Sequence, residues 1–116
     1  MHLGFLVTTS PYTFQNMDHA IGLMEAAIEK GHTCEIFLYM DGVIASSANI
    51  KPGQDRSIPN KILALLEKGV RVTSCGVCCN YRGVKHADFQ PGIKQAGLAA
   101  LGRMINESDR VITLGF

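Results

Sequence analysis

Residues 3–7, Leu3-Gly4-Phe5-Leu6-Val7, form a short and nearly continuous apolar run at the start of the chain. Such a run is typical of a strand that is buried on both faces of a parallel sheet. A loop of turn-forming residues follows at Thr8 to Tyr12, and a second strand-like run covers Cys34 to Tyr39. Between the two runs, apolar residues recur at three- and four-residue steps and predict a helix, which Gly31 ends as a cap. The apolar positions of this helix are Met17, Ala20, Ile21, Met24, Ala27 and Ile28.

The same alternation continues to the end of the chain. We predict a short helix within residues 43–48, a longer helix capped by Ser57, a third strand over 70–73 and a fourth strand over 110–114. The polar stretch 81–95 carries no clear pattern. A last amphipathic helix has an apolar stripe of Leu98, Leu101, Met104 and Ile105. Strand and helix alternate throughout, which predicts an α/β three-layer sandwich with a mostly parallel four- to five-stranded sheet and helices on both faces.

The composition and the charge of the chain exclude several classes of function. The chain has 116 residues, 47% of them hydrophobic, and a formal net charge of +1, which fits one domain over residues 1–116. The charges are mixed and form no basic stripe, so we expect no nucleic acid partner. No apolar run approaches the roughly 20 residues that span a bilayer, and Met1 to Phe5 does not resemble a signal peptide. We therefore expect a cytoplasmic protein, without membrane contact, whose thiols stay reduced.

Three of the four cysteines fall within five residues, in Ser74-Cys75-Gly76-Val77-Cys78-Cys79-Asn80. This run follows the third predicted strand, and open α/β sheets place their sites at the carboxyl ends of strands. The thiolate is the reactive form of cysteine, so clustered thiols at such a turn indicate sulfur chemistry. Neighbouring side chains on a turn are not expected to point into one core together, whereas the isolated Cys34 is expected simply to pack.

The spacing of the clustered cysteines must also be compared with that of a redox pair and with that of a zinc site. Cys75-x-x-Cys78 has the spacing of a redox pair. A tetrahedral zinc site needs four ligands, and the loop supplies at most three thiols, with His86 the nearest possible fourth ligand, so we expect no metal. If a helix begins near residues 78–81, its free N–H groups and the charge of Arg82 favour a thiolate.

The chain resembles the DsrE/TusD branch of the DsrE/DsrF-like sulfurtransferase family along nearly its whole length. In that branch a loop cysteine is followed by a few small residues and then by Arg-Arg-Gly-Val/Ile. The corresponding residues here are Cys75-Gly76-Val77-Cys78-Cys79-Asn80-Tyr81-Arg82-Gly83-Val84. Three flanking segments resemble the family as well: residues 5–12, residues 36–43, and residues 96–101 with 108–112.

The resemblance implies a DsrE-like fold of flavodoxin- or Rossmann-like topology and a persulfide sulfur carrier. Cys75 is then the residue that carries the sulfane sulfur, and Arg82 and Gly83 are candidate binding residues. No cofactor is implied, the partners are proteins that donate or accept sulfur through persulfide or thiol groups, and the relatives assemble as homo- or hetero-oligomers, as trimers or hexamers. Cys78 and Cys79 stand where the branch has small residues, and Tyr81 replaces the first arginine, so Cys78 is a second candidate catalytic residue that attacks the persulfide.

Two alternatives stay open from the sequence. The hydroxyl-rich loop Thr8 to Thr13 after the first strand is compatible with a flavodoxin-like module that binds a small phosphorylated ligand. Its other interpretation is ordinary helix capping in a surface turn. The second alternative to a sulfur carrier is a non-catalytic structural subunit of a hetero-oligomer. The presence of Cys75 argues against it.

Overall fold

A computed structural model describes all residues, 1–116. Its centre is a five-stranded, all-parallel sheet in the order β4-β3-β2-β1-β5. The strands are β1 (His2–Val7), β2 (Thr33–Leu38), β3 (Arg71–Cys75), β4 (Lys94–Ala96) and β5 (Arg110–Leu114). The predicted α/β architecture is confirmed, because every neighbouring strand pair is parallel and helical segments connect the consecutive strands.

Four α-helices connect the strands: α1 (Asn16–Glu29), α2 (Ile58–Glu67), α3 (Gly76–Tyr81) and α4 (Leu98–Glu107). The helices cover both faces of the sheet. Two neighbouring residues of β2 show this, because side chains alternate between the two faces along a strand. The Cys34 thiol faces the Met24 carbonyl of α1, and the Glu35 carboxylate contacts Arg103 of α4. None of the helices combines the length and the apolar composition needed to cross a bilayer.

The structure corrects several of the predicted elements. Residues 94–96 form the edge strand β4 inside the stretch that carried no clear pattern, so 110–114 is the fifth strand and not the fourth. The predicted short helix is a 3-10 helix over Met40–Ser46. In α4, Met104 is buried, but Leu98 and Ile105 are exposed, because the apolar stripe extends beyond the part of the sheet that α4 covers. The Ser57 cap is confirmed, since its side chain accepts the Asn60 N–H.

The loop after β1 is occupied by contacts within the chain. The Asn16 amide donates hydrogen bonds to the Thr9 hydroxyl and to the Gly115 carbonyl, and so it joins the loop to the end of β5. The Tyr12 hydroxyl donates to the Arg56 carbonyl and accepts the Ile58 N–H. These bonds fix the loop between α1, the end of β5 and the start of α2.

Gly42 fixes the 3-10 helix against β1, and this contact is testable. A Cβ atom at Gly42 would lie 2.2 Å from the Val7 carbonyl oxygen and 3.0 Å from its carbon, both backbone atoms of a central strand. Gly42→Ala should therefore lower the free energy of unfolding by about 1–3 kcal/mol, or more if the turn is displaced. Gly22→Ala in α1 meets no atom within 4 Å and should instead stabilise the protein by roughly 0.5–1 kcal/mol. Urea unfolding of both variants measures the difference, and equal effects would contradict the close approach.

Candidate functional site

Cys75 lies at the junction of a strand and a helix. It is the last residue of β3 and the N-cap of α3, with extended backbone angles, φ −68° and ψ 120°. The sequence predicts that this helix starts near residues 78–81. The structure corrects that expectation, because the helix starts at Gly76. Side-chain alternation along β3 directs Cys75 to the same face of the sheet as Thr73 and Arg71, which is the face that α4 covers.

The three clustered cysteines are all buried, which corrects the expectation that neighbouring thiols would not share a core. The exposed fractions of Cys75, Cys78 and Cys79 are 2%, 7% and 0%. The reason is that the run is a strand end followed by a helical turn, and not a loop, so that its side chains reach different parts of the core. Cys79 turns toward Ser74, with 3.4 Å between Sγ and the hydroxyl oxygen, and Cys34 packs in the core as predicted.

A groove of about 300 Å³ opens over Cys75 and Cys78. Its lining is mostly apolar and consists of Tyr39, Cys75, Val77, Cys78, Tyr81, Gly97 and Leu98. Val77, Tyr81 and Leu98 on its rim are exposed to 54%, 81% and 56%. Two thiols thus face an apolar groove at the surface, while Cys79 does not line it.

Cys78 is held by a backbone hydrogen bond. The Met40 N–H donates to its Sγ at 3.3 Å. Burial, together with the side chain of Cys75, raises the pKa of the Cys78 thiol, whereas the Met40 N–H and the charge of Arg82 act to lower it. Burial likewise raises the pKa of Cys79, with the Ser74 hydroxyl acting in the opposite direction. The resting thiols of both residues are therefore neutral near pH 7.

Arg82 and Gly83, the candidate binding residues, end α3. The Arg82 guanidinium pairs with the Asp41 carboxylate at 2.6 Å and donates to the Cys78 carbonyl at 3.1 Å, so it ties α3 to the 3-10 helix. Gly83 has φ +67°, in the left-handed region that glycine adopts at helix ends, while the Val84 N–H closes the cap on the Cys79 carbonyl. The structure gives both residues a part in shaping the cysteine turn, and neither lines the groove.

Other residues of the site could not be assigned from the sequence. Met40 acts through its main chain, and Gly97 and Leu98 belong to the β4–α4 junction, which carried no chemical signal. His86 is exposed and packs edge-on against Phe89, as expected for a surface histidine. No group of three or more His, Cys, Asp or Glu side chains is arranged to hold a metal ion.

Comparisons with known proteins give matches along nearly the whole chain. The model of the DsrE/DsrF-like family matches residues 1–114. The chain is similar to a protein named sulfurtransferase TusD homolog from Vibrio vulnificus, with 32% identity over 92% of both chains. It is also similar to the putative sulfurtransferase DsrE of Allochromatium vinosum, with 30% identity over 99% of both. Among solved structures, the ychN protein from E. coli superimposes with a TM-score of 0.83 and 26% identity, covering 98% of this chain and all of that one.

Proposed function

The chain belongs to the DsrE/DsrF-like family, and from this premise we propose that it is a sulfurtransferase that carries a sulfane sulfur on Cys75 as a persulfide. It takes the sulfur from a donor protein and passes it to an acceptor thiol in a sulfur relay. The observation that carries the proposal is the place of Cys75 at the end of β3, in the floor of an apolar surface groove. Two relatives that match nearly the whole chain carry the names putative sulfurtransferase DsrE and sulfurtransferase TusD homolog, which supports the proposal.

The chemistry of such a transfer needs only thiolates. The Cys75 thiolate attacks the outer sulfur of the donor persulfide, the donor sulfur–sulfur bond breaks, and the donor leaves as a thiolate. An acceptor thiolate then attacks the outer sulfur on Cys75 and restores the Cys75 thiolate. Each step forms one sulfur–sulfur bond and breaks one, so neither an oxidant nor a reductant is consumed.

The shape of the groove suits both halves of this exchange. Its apolar lining shields the outer sulfur from water, and its volume of about 300 Å³ leaves space for that atom beside Cys75. Because Cys75 is buried, the partner's cysteine must enter the groove to reach it. The exposed rim residues Val77, Tyr81 and Leu98 are apolar and offer that partner a contact surface.

Intact-mass spectrometry tests the proposal directly. The reduced protein, incubated with glutathione persulfide and then freed of it, should gain one sulfur, about 32 Da, and a thiol reductant should remove it. Peptide mapping after alkylation should place the sulfur on Cys75. A protein whose mass stays at the reduced value, or that gains sulfur only on Cys34, would contradict the assignment.

A further inference from the structure

Cys78 shares the groove with Cys75 and stands one helical turn away. Cys75 is the N-cap of α3 and Cys78 is its third residue. Residues three apart at a helix start lie on the same side, with Cβ atoms about 5–6 Å apart. A disulfide needs about 3.5–4.5 Å between Cβ atoms, so a small closing movement of the N-cap residue brings the two sulfurs into bonding distance.

The surroundings of Cys78 distinguish it from the two cysteines that only pack. Its sulfur receives the Met40 N–H at 3.3 Å, whereas the Cys34 thiol lies 4.0 Å from a carbonyl, and the Cys79 thiol contacts the Ser74 hydroxyl. A backbone N–H favours the thiolate form of the sulfur that accepts it. Cys78 is thus provided with a donor that stabilises negative charge at the moment it acts as a nucleophile.

The geometry that supplies this donor is strained. Met40 has φ +51°, a left-handed conformation that is unfavourable for a residue with a side chain. The turn is held there by the close approach of Gly42 to Val7 and by the ion pair between Asp41 and Arg82. Strain of this kind persists only where the surroundings enforce it, and it concentrates at functional sites. Here its result is an amide directed at the Cys78 sulfur.

We infer that Cys78 is a resolving thiol, which attacks the inner sulfur of a Cys75 persulfide and releases hydrosulfide. This inference rests on the proposed function. As the Cys78 thiol gives up its proton to the outer sulfur of the persulfide, Cys78 Sγ forms a bond to Cys75 Sγ. The bond between Cys75 Sγ and the outer sulfur breaks, and the outer sulfur leaves as HS⁻ with that proton and the electron pair. The sulfane sulfur is reduced to sulfide while the two cysteines are oxidised to a disulfide. An external dithiol reductant returns the protein to the free thiols for another turnover.

Because of this step, the sulfur bound to Cys75 has a second possible fate besides transfer to an acceptor. With an acceptor thiol in the groove, the outer sulfur is handed on and the protein remains reduced. Without one, Cys78 discharges the persulfide and leaves an oxidised protein that accepts no more sulfur until it is reduced. The pair therefore links sulfur loading to the supply of acceptor and of dithiol.

A single-turnover experiment tests this inference. Wild type and Cys78→Ser are loaded with glutathione persulfide, freed of it, and followed without reductant by intact mass and by methylene-blue detection of sulfide. Wild type should pass from about 32 Da above the reduced mass to about 2 Da below it, with one equivalent of sulfide released. Cys78→Ser should keep its extra sulfur at least about tenfold longer and release little sulfide. Cys79→Ala, a matched change at a buried thiol outside the groove, should behave as wild type, and Cys78→Ala repeats the test with a second side chain.

The outcomes separate this inference from the proposed function. A persulfide on Cys75 that decays at the same rate in wild type and in both Cys78 variants overturns the resolving role and leaves the carrier function standing. Sulfur that moves to Cys78 without a disulfide also overturns it. If folded wild-type and Cys78→Ser proteins both keep the reduced mass after incubation with glutathione persulfide, the carrier function itself is contradicted.

Discussion

Cys75→Ser protein will take up no sulfane sulfur, and its mass will stay unchanged after incubation with glutathione persulfide. A serine hydroxyl keeps the shape and the N-cap position of Cys75 but has no sulfur to attack a persulfide. The expected effect is a complete loss, from about one sulfur per chain to background, and intact-mass spectrometry measures it. Serine is also a favourable N-cap residue, so the variant should fold, which its circular dichroism spectrum and melting temperature will show.

The control for this prediction is Cys79→Ser. It changes a thiol that is at least as deeply buried and lies in the same helical turn, but does not line the groove. It should gain sulfur as the wild type does. If Cys75→Ser gains the same sulfur as wild type, with the sulfur mapped to Cys78, the assignment of Cys75 as the carrier is wrong.

The position of Cys75 at the end of a strand could be predicted from the sequence. The directions in which the side chains of Cys78 and Cys79 point could not. An apolar strand that ends in a cysteine places that residue at the carboxyl edge of a parallel sheet, and the family resemblance selects it from the cluster. Whether Cys78 and Cys79 share its groove depends on where the helix starts, and helix starts are poorly defined by sequence patterns. Because α3 begins at Gly76, Cys78 faces the groove and Cys79 faces Ser74.

The elements that escaped prediction lie at edges of the fold. Strand β4 is three residues long and lacks an apolar alternation because it lies at one edge of the sheet, where Lys94 and Gln95 remain exposed. In α4 the periodicity correctly identified an apolar face, yet Leu98 and Ile105 are not covered by the chain's own core. Periodicity shows which side of a helix is apolar, and only the tertiary structure shows how much of that side is covered.

A buried carboxylate is the other feature that no sequence pattern indicated. Glu35 lies in β2 with its side chain only 5% exposed. Its oxygens contact His2 Nε2 at 2.7 Å, Arg103 Nη2 at 2.9 Å and Arg71 Nη1 at 3.4 Å. The three partners belong to β1, α4 and β3, so one carboxylate joins the central strands to the helix on that face.

Removal of this carboxylate should have the largest effect on stability. Glu35→Ala leaves three cationic or polar partners without their acceptor, and breaking a buried ion pair usually costs about 3–5 kcal/mol. The partners are partly exposed and can turn to water, so we expect a loss of about 2–4 kcal/mol at pH 7 and a fall of about 10 °C in melting temperature. Glu29→Gln, at an exposed position in α1, should leave stability within about 0.5 kcal/mol of wild type.

The same carboxylate gives the protein an acid-dependent part of its stability. Burial alone would raise the pKa of Glu35, but hydrogen bonds from Arg103 and His2 and the charges of Arg103 and Arg71 outweigh it and hold the pKa below its usual range. A carboxyl group whose pKa is lowered by folding stabilises the folded state above its unfolded pKa, and this contribution is lost as the pH falls through the folded pKa.

Glu35→Gln isolates that contribution, because it keeps the size of the side chain and removes the charge. The difference in unfolding free energy between wild type and Glu35→Gln should be fully present at pH 7. It should shrink as the pH falls from the pKa of glutamate in an unfolded chain, about 4.3, toward the lowered pKa of Glu35 in the folded protein. The ion pair between Asp18 and Arg56 loses stability over a similar range, but it is common to both proteins and cancels in the difference. Urea unfolding at a series of pH values measures it, and a difference that is the same at pH 7 and pH 3 would show that the charge of Glu35 does not stabilise the fold.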